Sequence, residues 1–264
     1  TVNDNALFKD CKALTSVKLP ESMVSTNNLI FAGCTGLTSV ILPEALTTIG
    51  WKAFSDCTGL QSIVIPGSVS TIAKHDLYSD NPKGAFQGCK GLTSVTIKST
   101  NALNVNTYAF ADCLALRSVT FEAEGPSTIS NNAFMNCKVL ESIRLPNSVV
   151  IIGNNAFSSC SSLSSLEFNG NATIGATAFT GCLSLKNLTI RNVTSGTSSI
   201  VNNYFSSSKS WTLPGAPNPI RYLTIKTNPD DVTAVLSSAP NPGSLLIDDL
   251  ENKVHVYVPG WTLK

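Results

Sequence analysis

The apolar positions of this chain recur in a phrase that carries two periods at once. Phenylalanines stand at Phe8, Phe31, Phe54, Phe86, Phe110, Phe134, Phe157, Phe179 and Phe205, at intervals of 23, 23, 32, 24, 24, 23, 22 and 26 residues. Three residues after the first eight sit Cys11, Cys34, Cys57, Cys89, Cys113, Cys137, Cys160 and Cys182, which are all the cysteines of the chain. Six residues after the same phenylalanines come Leu14, Leu37, Leu60, Leu92, Leu116, Leu140, Leu163 and Leu185. Apolar residues at i, i+3 and i+6 turn one face of a short helical or 3-10 turn inward. Pairs two apart follow, such as Val17/Leu19, Val95/Ile97 and Leu188/Ile190. That alternation predicts a short strand with one buried face. A further apolar residue recurs five positions before many phenylalanines, at Ile49, Val105, Ile129, Ile152, Ile174 and Ile200. With the "IG" that follows three of them, it reads as the end of a second extended piece and a turn.

A unit of about 23 residues cannot bury its apolar face alone, so the units must stack. Strands of successive units then run parallel, about 4.8 Å apart, and the chain becomes a solenoid. The shared phrase AFxxCxxLxxVxLPxSVxxIGxxAF is nearly complete at 53–69, "AFSDCTGLQSIVIPGSV", and at 133–157, "AFMNCKVLESIRLPNSVVIIGNNAF". Over residues 4–226 it closely resembles the BspA-like class of leucine-rich repeats. The resemblance implies a leucine-rich-repeat solenoid: a curved, right-handed stack of ~23-residue units with a parallel β-sheet on one face and short helical or 3-10 turns on the other. It also implies a place on or outside cells, adhesion, and interaction with a host. About nine units are expected in residues 1–226, the first incomplete and the ninth irregular, because Ser208 and Trp211 stand where cysteine and leucine are due. Residues 227–264 are expected to form a C-terminal cap over the open end. Within it, "NPDDVTAVLSSAP" predicts a short helix capped by Asn228 or Asp230. "KVHVYVP" predicts a strand burying Val254, Val256 and Val258 and exposing His255 and Tyr257.

Charge narrows the function classes. The formal net charge is +1 and only 13% of residues are charged, too little for the basic stripe that phosphate binding needs. No apolar run approaches the ~20 residues of a membrane helix. The opening "TVNDNALFKDC" lacks a basic and then apolar leader and starts part-way into a repeat, so a mature or trimmed fragment is expected, with signal and anchor outside it. For the cysteines, disulfides or a metal ladder compete with a column of small buried thiols. Equivalent residues of stacked rungs point the same way, and no CxxC pair offers a zinc site; a reduced structural column is the expectation. Only two histidines occur, His75 and His255, far apart along the array, and no phosphate loop, HExxH or GxSxG is present. We therefore expect no enzyme, no catalytic residue, no metal and no cofactor.

What remains is a surface. Between the inward pair of each strand, the outward column reads Lys18, Ile41, Val64, Thr96, Thr120, Arg144, Glu167 and Thr189, beside a column of Ser16, Ser39, Ser62, Ser94, Ser118, Ser142, Ser165 and Asn187. Such columns serve equally as recognition surface and as plain strand formers. Arg144/Glu167 and Arg117/Glu141 occupy shared columns on adjacent rungs, and Ile41 with Val64 makes a small apolar patch. The 32-residue unit carries about nine extra residues within "AKHDLYSDNPKG" at 73–84, where His75, Asp76 and Tyr78 could contact a ligand. The expectation is a monomeric extracellular module binding host protein or glycan through the strand face. The alternative is a structural spacer displaying another domain at the cell surface.

Overall fold

The structure, a computed structural model, describes residues 6–72, 83–98, 100, 102–122, 125, 128–170, 172–191, 213 and 215–217, and the backbone of strands covering 222–228, 231–237, 246–250 and 253–257. It is a parallel-strand solenoid with the predicted spacing. One wall consists of the strands that follow each leucine: β1 (Ser16–Lys18), β2 (Ser39–Ile41), β4 (Ser62–Ile65), β6 (Ser94–Ile97), β8 (Ser118–Phe121), β10 (Ser142–Arg144), β12 (Ser165–Asn169) and β14 (Asn187–Arg191). The "IG" pieces make a second wall: β3 (Thr48–Ile49), β5 (Thr71–Ile72), β7 (Asn104–Val105), β9 (Thr128–Ile129), β11 (Ile151–Ile152) and β13 (Thr173–Ile174) form one six-stranded sheet in chain order. Pairing is parallel in both, with equivalent residues in register, as in Ser94↔Ser118 and Val95↔Val119 or Ile152↔Ile174.

Between the walls lies one continuous core. Each phenylalanine of the repeat column, Phe31, Phe54, Phe86, Phe110, Phe134, Phe157 and Phe179, is fully buried, and so are the small alanines that precede all of these but Phe31. Consecutive rings from Phe8 to Phe179 stack with centroids 5.1–5.6 Å apart and planes within 1–18°. This slightly exceeds the strand spacing, as offset stacking requires. The phenylalanine N–H donates forward to the next rung: Phe31 to the Ala53 carbonyl and Phe54 to that of Ala85, both at 2.8 Å. At the entrance to the strands the direction reverses, and Thr38 N–H donates back to Thr15 O at 2.8 Å.

The predicted helical turns take a different form. Successive i→i−3 bonds do occur, Cys34 N–H to Phe31 O and Leu37 N–H to Cys34 O, both 3.1 Å, but no helix forms among the described residues. A left-handed residue two positions after each phenylalanine breaks propagation: Asp10, Gly33, Asp56, Gly88, Asp112, Asn136, Ser159 and Gly181, with φ between 59 and 77°. From Asp10 to Ser159 their N–H groups are thereby aimed at the following rung and donate to it at 2.7–2.9 Å, as from Asp56 to Gln87 O. Where Gly33 and Gly88 occupy the slot, a Cβ would meet the Asp10 and Asp56 carboxylates of the rung before at 2.1 and 2.4 Å. A second left-handed site two residues before phenylalanine falls on Leu29, Lys52, Tyr108, Asn132 and Asn155.

Seven thiols line up beside the rings. Each donates to the phenylalanine carbonyl of the preceding rung, from Cys34 Sγ to Phe8 O at 3.0 Å through Cys182 Sγ to Phe157 O at 3.1 Å. In every case but Phe110 the same carbonyl accepts the N–H of its own rung's cysteine, so both lone pairs are used. All eight cysteines are free; Cys34 to Cys182 are buried, whereas Cys11 is exposed, because no described rung lies over it. That corrects the expectation of eight equivalent buried thiols.

At the far end, β15 (Tyr222–Asn228) adds parallel to β14, and β16 (Asp231–Ser237) pairs antiparallel with β15. The expected boundary at 226/227 thus falls inside a strand. The helix expected over "NPDDVTAVLSSAP" is instead β16: Val232, Thr233 and Val235 favour extended backbone, and the edge of β15 supplies a partner. The expected "KVHVYVP" strand is present as β18 (Lys253–Tyr257), paired antiparallel with β17 (Leu246–Leu250). The expected burial of its valines lies outside the described side chains.

Three predictions follow from this core. Phe110→Ala should cost about 3–5 kcal/mol in chemical denaturation, against about 1 kcal/mol or less for Phe8→Ala, whose ring is 40% exposed. Lys52→Gly should raise stability by about 0.5–1 kcal/mol, because it removes a left-handed side chain. Burial pushes every thiol from Cys34 to Cys182 upward, Cys57 to about 12. The folded state therefore keeps these protons to higher pH than the unfolded chain does. Stability should be fully present below about pH 8.5 and should fall above it by roughly 1.4 kcal/mol per pH unit for each thiol. Cys113→Ala should flatten that slope by one thiol, and an aromatic disulfide reagent should find one reactive thiol in native protein and eight in denatured protein.

Candidate functional site

The strand wall turns the repeat into columns. Lys18 stands in register with Ile41; Val64 with Thr96 and Thr120; Arg144 with Glu167 and Thr189. All eight face outward. Lys18, Ile41, Val64, Thr120 and Arg144 are exposed, and Thr96, Glu167 and Thr189 are half-buried. Ile41 is 59% and Val64 46% exposed, large values for aliphatic residues within strands. Gln61 N–H to Thr38 O at 3.3 Å joins their two rungs, so the expected apolar patch is contiguous. The serine column beside it is exposed or half-exposed throughout. His75, Asp76 and Tyr78 of the inserted loop lie outside the described residues. Lys83, the first described residue after the insertion, pairs its ammonium with Asp56 at 2.5 Å.

Hydroxyls flanking the strands serve the backbone. Thr38 Oγ1 donates to Thr15 O, and Thr93 Oγ1 to Gln61 O, both at 2.9 Å. These groups link rungs and are only partly available to a ligand.

The charged pairs form as expected, and one residue that sequence reasoning missed joins them. Arg117 Nη1 lies 3.9 Å from Glu141 Oε1, both exposed, a pair worth little in water. Arg144 Nε lies 3.2 Å from Glu167 Oε1. Arg191 Nε approaches the same oxygen at 3.0 Å with its side chain 1% exposed. Both approaches to that oxygen are contacts of charge rather than aligned hydrogen bonds. Arg191 also donates from Nη2 to Leu145 O, two rungs back. It follows the inward pair of β14, the slot filled by Pro20, Pro43, Pro66 and Pro146, by Lys98 and Glu122, and by Asn169 in the rung before. Because that column is broken in several rungs, the sequence held no signal that singled out Arg191.

Among the described residues, no group of three histidine, cysteine, aspartate or glutamate side chains is placed to hold a metal, and no helix is long and apolar enough to cross a membrane. A groove of about 570 Å³ runs along the outer side of the first rung, lined by Leu7, Phe8, Leu14, Val17, Met23 and Ile30 among others. Its walls are core residues of the stack, without convergent polar groups.

Comparison with known proteins agrees with this geometry. Residues 1–82 and 79–212 match the family model described as the BspA type leucine-rich repeat region, in six copies. A leucine-rich repeat protein from Bacteroides ovatus is similar in structure, with 31% identity and a TM-score of 0.53, over 70% of this chain and 51% of that one. A leucine-rich cell surface protein from Faecalibacterium prausnitzii shares 23% identity over 70% of this chain and 62% of its own, with a TM-score of 0.42. A leucine-rich repeat protein of T. pallidum shares 26% identity over 67% and 68%, with a TM-score of 0.44. This chain spans about half the length of the B. ovatus protein. No curated protein matches it. With the repeat phrase, the stacked rings and the two parallel walls in place, the chain belongs to the BspA-type leucine-rich repeat family.

Proposed function

We propose that this domain is a non-enzymatic recognition module, displayed outside the cell, that binds a host protein or glycan through its strand face. The observation that carries this reading is the outward column itself. An in-register sheet leaves Ile41 and Val64 uncovered, four and three rungs from a charged cluster. Exposed aliphatic side chains within strands contribute nothing to this core, and an apolar spot rimmed by hydroxyls and charge is the usual make-up of a contact surface. Family membership supports a binding or structural module, and the fold by itself does not choose between them. Residues 227–264 act, in this reading, as the segment that ends the sheet, with β16 laid antiparallel on its last strand.

The test is a screen of the purified chain against immobilised extracellular-matrix proteins and glycans, with Ile41→Glu/Arg144→Glu as a folded comparison. Saturable binding at least tenfold weaker in the double variant is the expected outcome; both positions are exposed, so its thermal midpoint should stay within a few degrees of the parent. Binding undiminished in the variant would move the site away from the strand face. No binding to any surface would favour a spacer that displays another domain.

A further inference from the structure

We propose that Arg144 is the anion-recognition group of the strand face, that it receives a carboxylate from an extended acidic segment of a protein partner, and that Arg191 is the residue that positions it. This rests on the strand-face reading above and names the chemistry of the partner.

The argument starts from the cost of Arg191. A fully buried guanidinium gives up hydration worth several kcal/mol, which an ion pair recovers only in part. Nothing in the repeat demands it, since proline, asparagine or an exposed Lys98 or Glu122 fills the same slot in other rungs. What the burial achieves is local: Arg191 fixes Glu167 from beneath, and Glu167 in turn faces Arg144 Nε from the next strand. Glu167 thus stands between two guanidiniums, and the buried one cannot reach a ligand in solvent.

Arg144 is the member that can. Its side chain is 64% exposed. Its Nε lies 3.2 Å from Glu167 Oε1, a contact of charge, and its two Nη groups have no other ion-pair or hydrogen-bond partner among the described residues. An exposed guanidinium whose Nη fork is unpaired can take a carboxylate through two parallel bonds. Ser142 and Ser165, two residues before Arg144 and Glu167 and in register with each other, add hydroxyl donors on the same face.

The apolar patch decides between sources of the anion. Val64 lies in the same outward column three rungs away, roughly 14 Å at sheet spacing. A peptide running along the solenoid axis covers that distance in about four or five extended residues. A segment with an aspartate or glutamate about four residues from a leucine, isoleucine or valine would therefore satisfy both features at once. A sulfated glycan would use the fork and leave the aliphatic side chains unmatched.

The experiment selects random twelve-residue peptides, displayed on phage, on the full chain, with heparin beads as the sulfated alternative. The expected result is enrichment of peptides carrying an acid three to five residues from an aliphatic side chain. Retention should fall about 10- to 100-fold on Arg144→Met, and less on Arg144→Lys, which keeps charge without the fork. Arg117→Met should retain them as the parent does. Arg191→Met should also lower retention, and should shift the Arg144 Nε–Hε resonance toward that of a free surface arginine in protein that still melts cooperatively. A purely structural Arg191 would leave that resonance in place. If Arg191→Met does not fold, Glu167→Gln is expected to move the same resonance. Equal retention of acidic peptides by Arg144→Met, or an unmoved resonance, overturns the proposal. Arg144-dependent retention on heparin without acidic peptides overturns the protein partner. Peptides lost with Ile41→Glu but not with Arg144→Met overturn this inference and leave the strand-face reading standing; no selection at all overturns both.

Discussion

Ring-on-ring stacking of the phenylalanines is the contact on which the rest of this molecule depends. Each ring covers the next at little more than the spacing of a parallel sheet, so core and walls advance at the same pitch and neither is strained by the other. The carbonyls of Phe31, Phe54, Phe86, Phe134 and Phe157 are each committed twice, to the N–H of their own cysteine and to the thiol of the next. Cysteine suits that place because it is small, apolar and still carries a weak donor. Alanine would leave a gap. A branched side chain would collide with the ring column, whose interior is already close-packed.

The turns obey the same pitch. An uninterrupted helical turn would direct its N–H groups along its own axis, toward its own carbonyls. The left-handed residue after each phenylalanine swings one N–H toward the neighbouring rung, so the convex side acquires a ladder of its own. Glycine takes that conformation without strain, and aspartate or asparagine tolerates it. The alternation of Asp10, Gly33, Asp56 and Gly88 is then intelligible, since each acid side chain lies where a Cβ on the following glycine would fall.

A scaffold this uniform makes departures from uniformity informative. Serine and threonine flank the strands in rung after rung, and many of their hydroxyls simply bond the previous rung's backbone. Ile41, Val64 and the Arg144–Glu167–Arg191 cluster do not belong to that routine. Aliphatic surface and a buried guanidinium both oppose folding stability in isolation. The binding function proposed above gives a reason for both on one face.

The sequence alone determined the architecture, because a solenoid repeats its chemistry every turn: Phe, Cys and Leu at i, i+3 and i+6, then an alternating pair, specify turn, strand and inward face without reference to distant residues. Outward columns followed from alternation alone, and so did the charge pairs of Arg144 with Glu167 and Arg117 with Glu141. Three features belonged to tertiary structure. The backbone sign at Leu29, Lys52 and Tyr108 is unreadable from residue types that ordinarily avoid the left-handed region; the neighbouring rung imposes it. Residues 231–237 became a strand because β15 offered an open edge, an influence absent from their own apolar spacing. Arg191 reaches a carbonyl 46 residues away, and only the stacking of three rungs, which brings Leu145, Glu167 and Arg191 side by side, could turn a lone arginine after an ordinary strand into the buried end of a charged cluster.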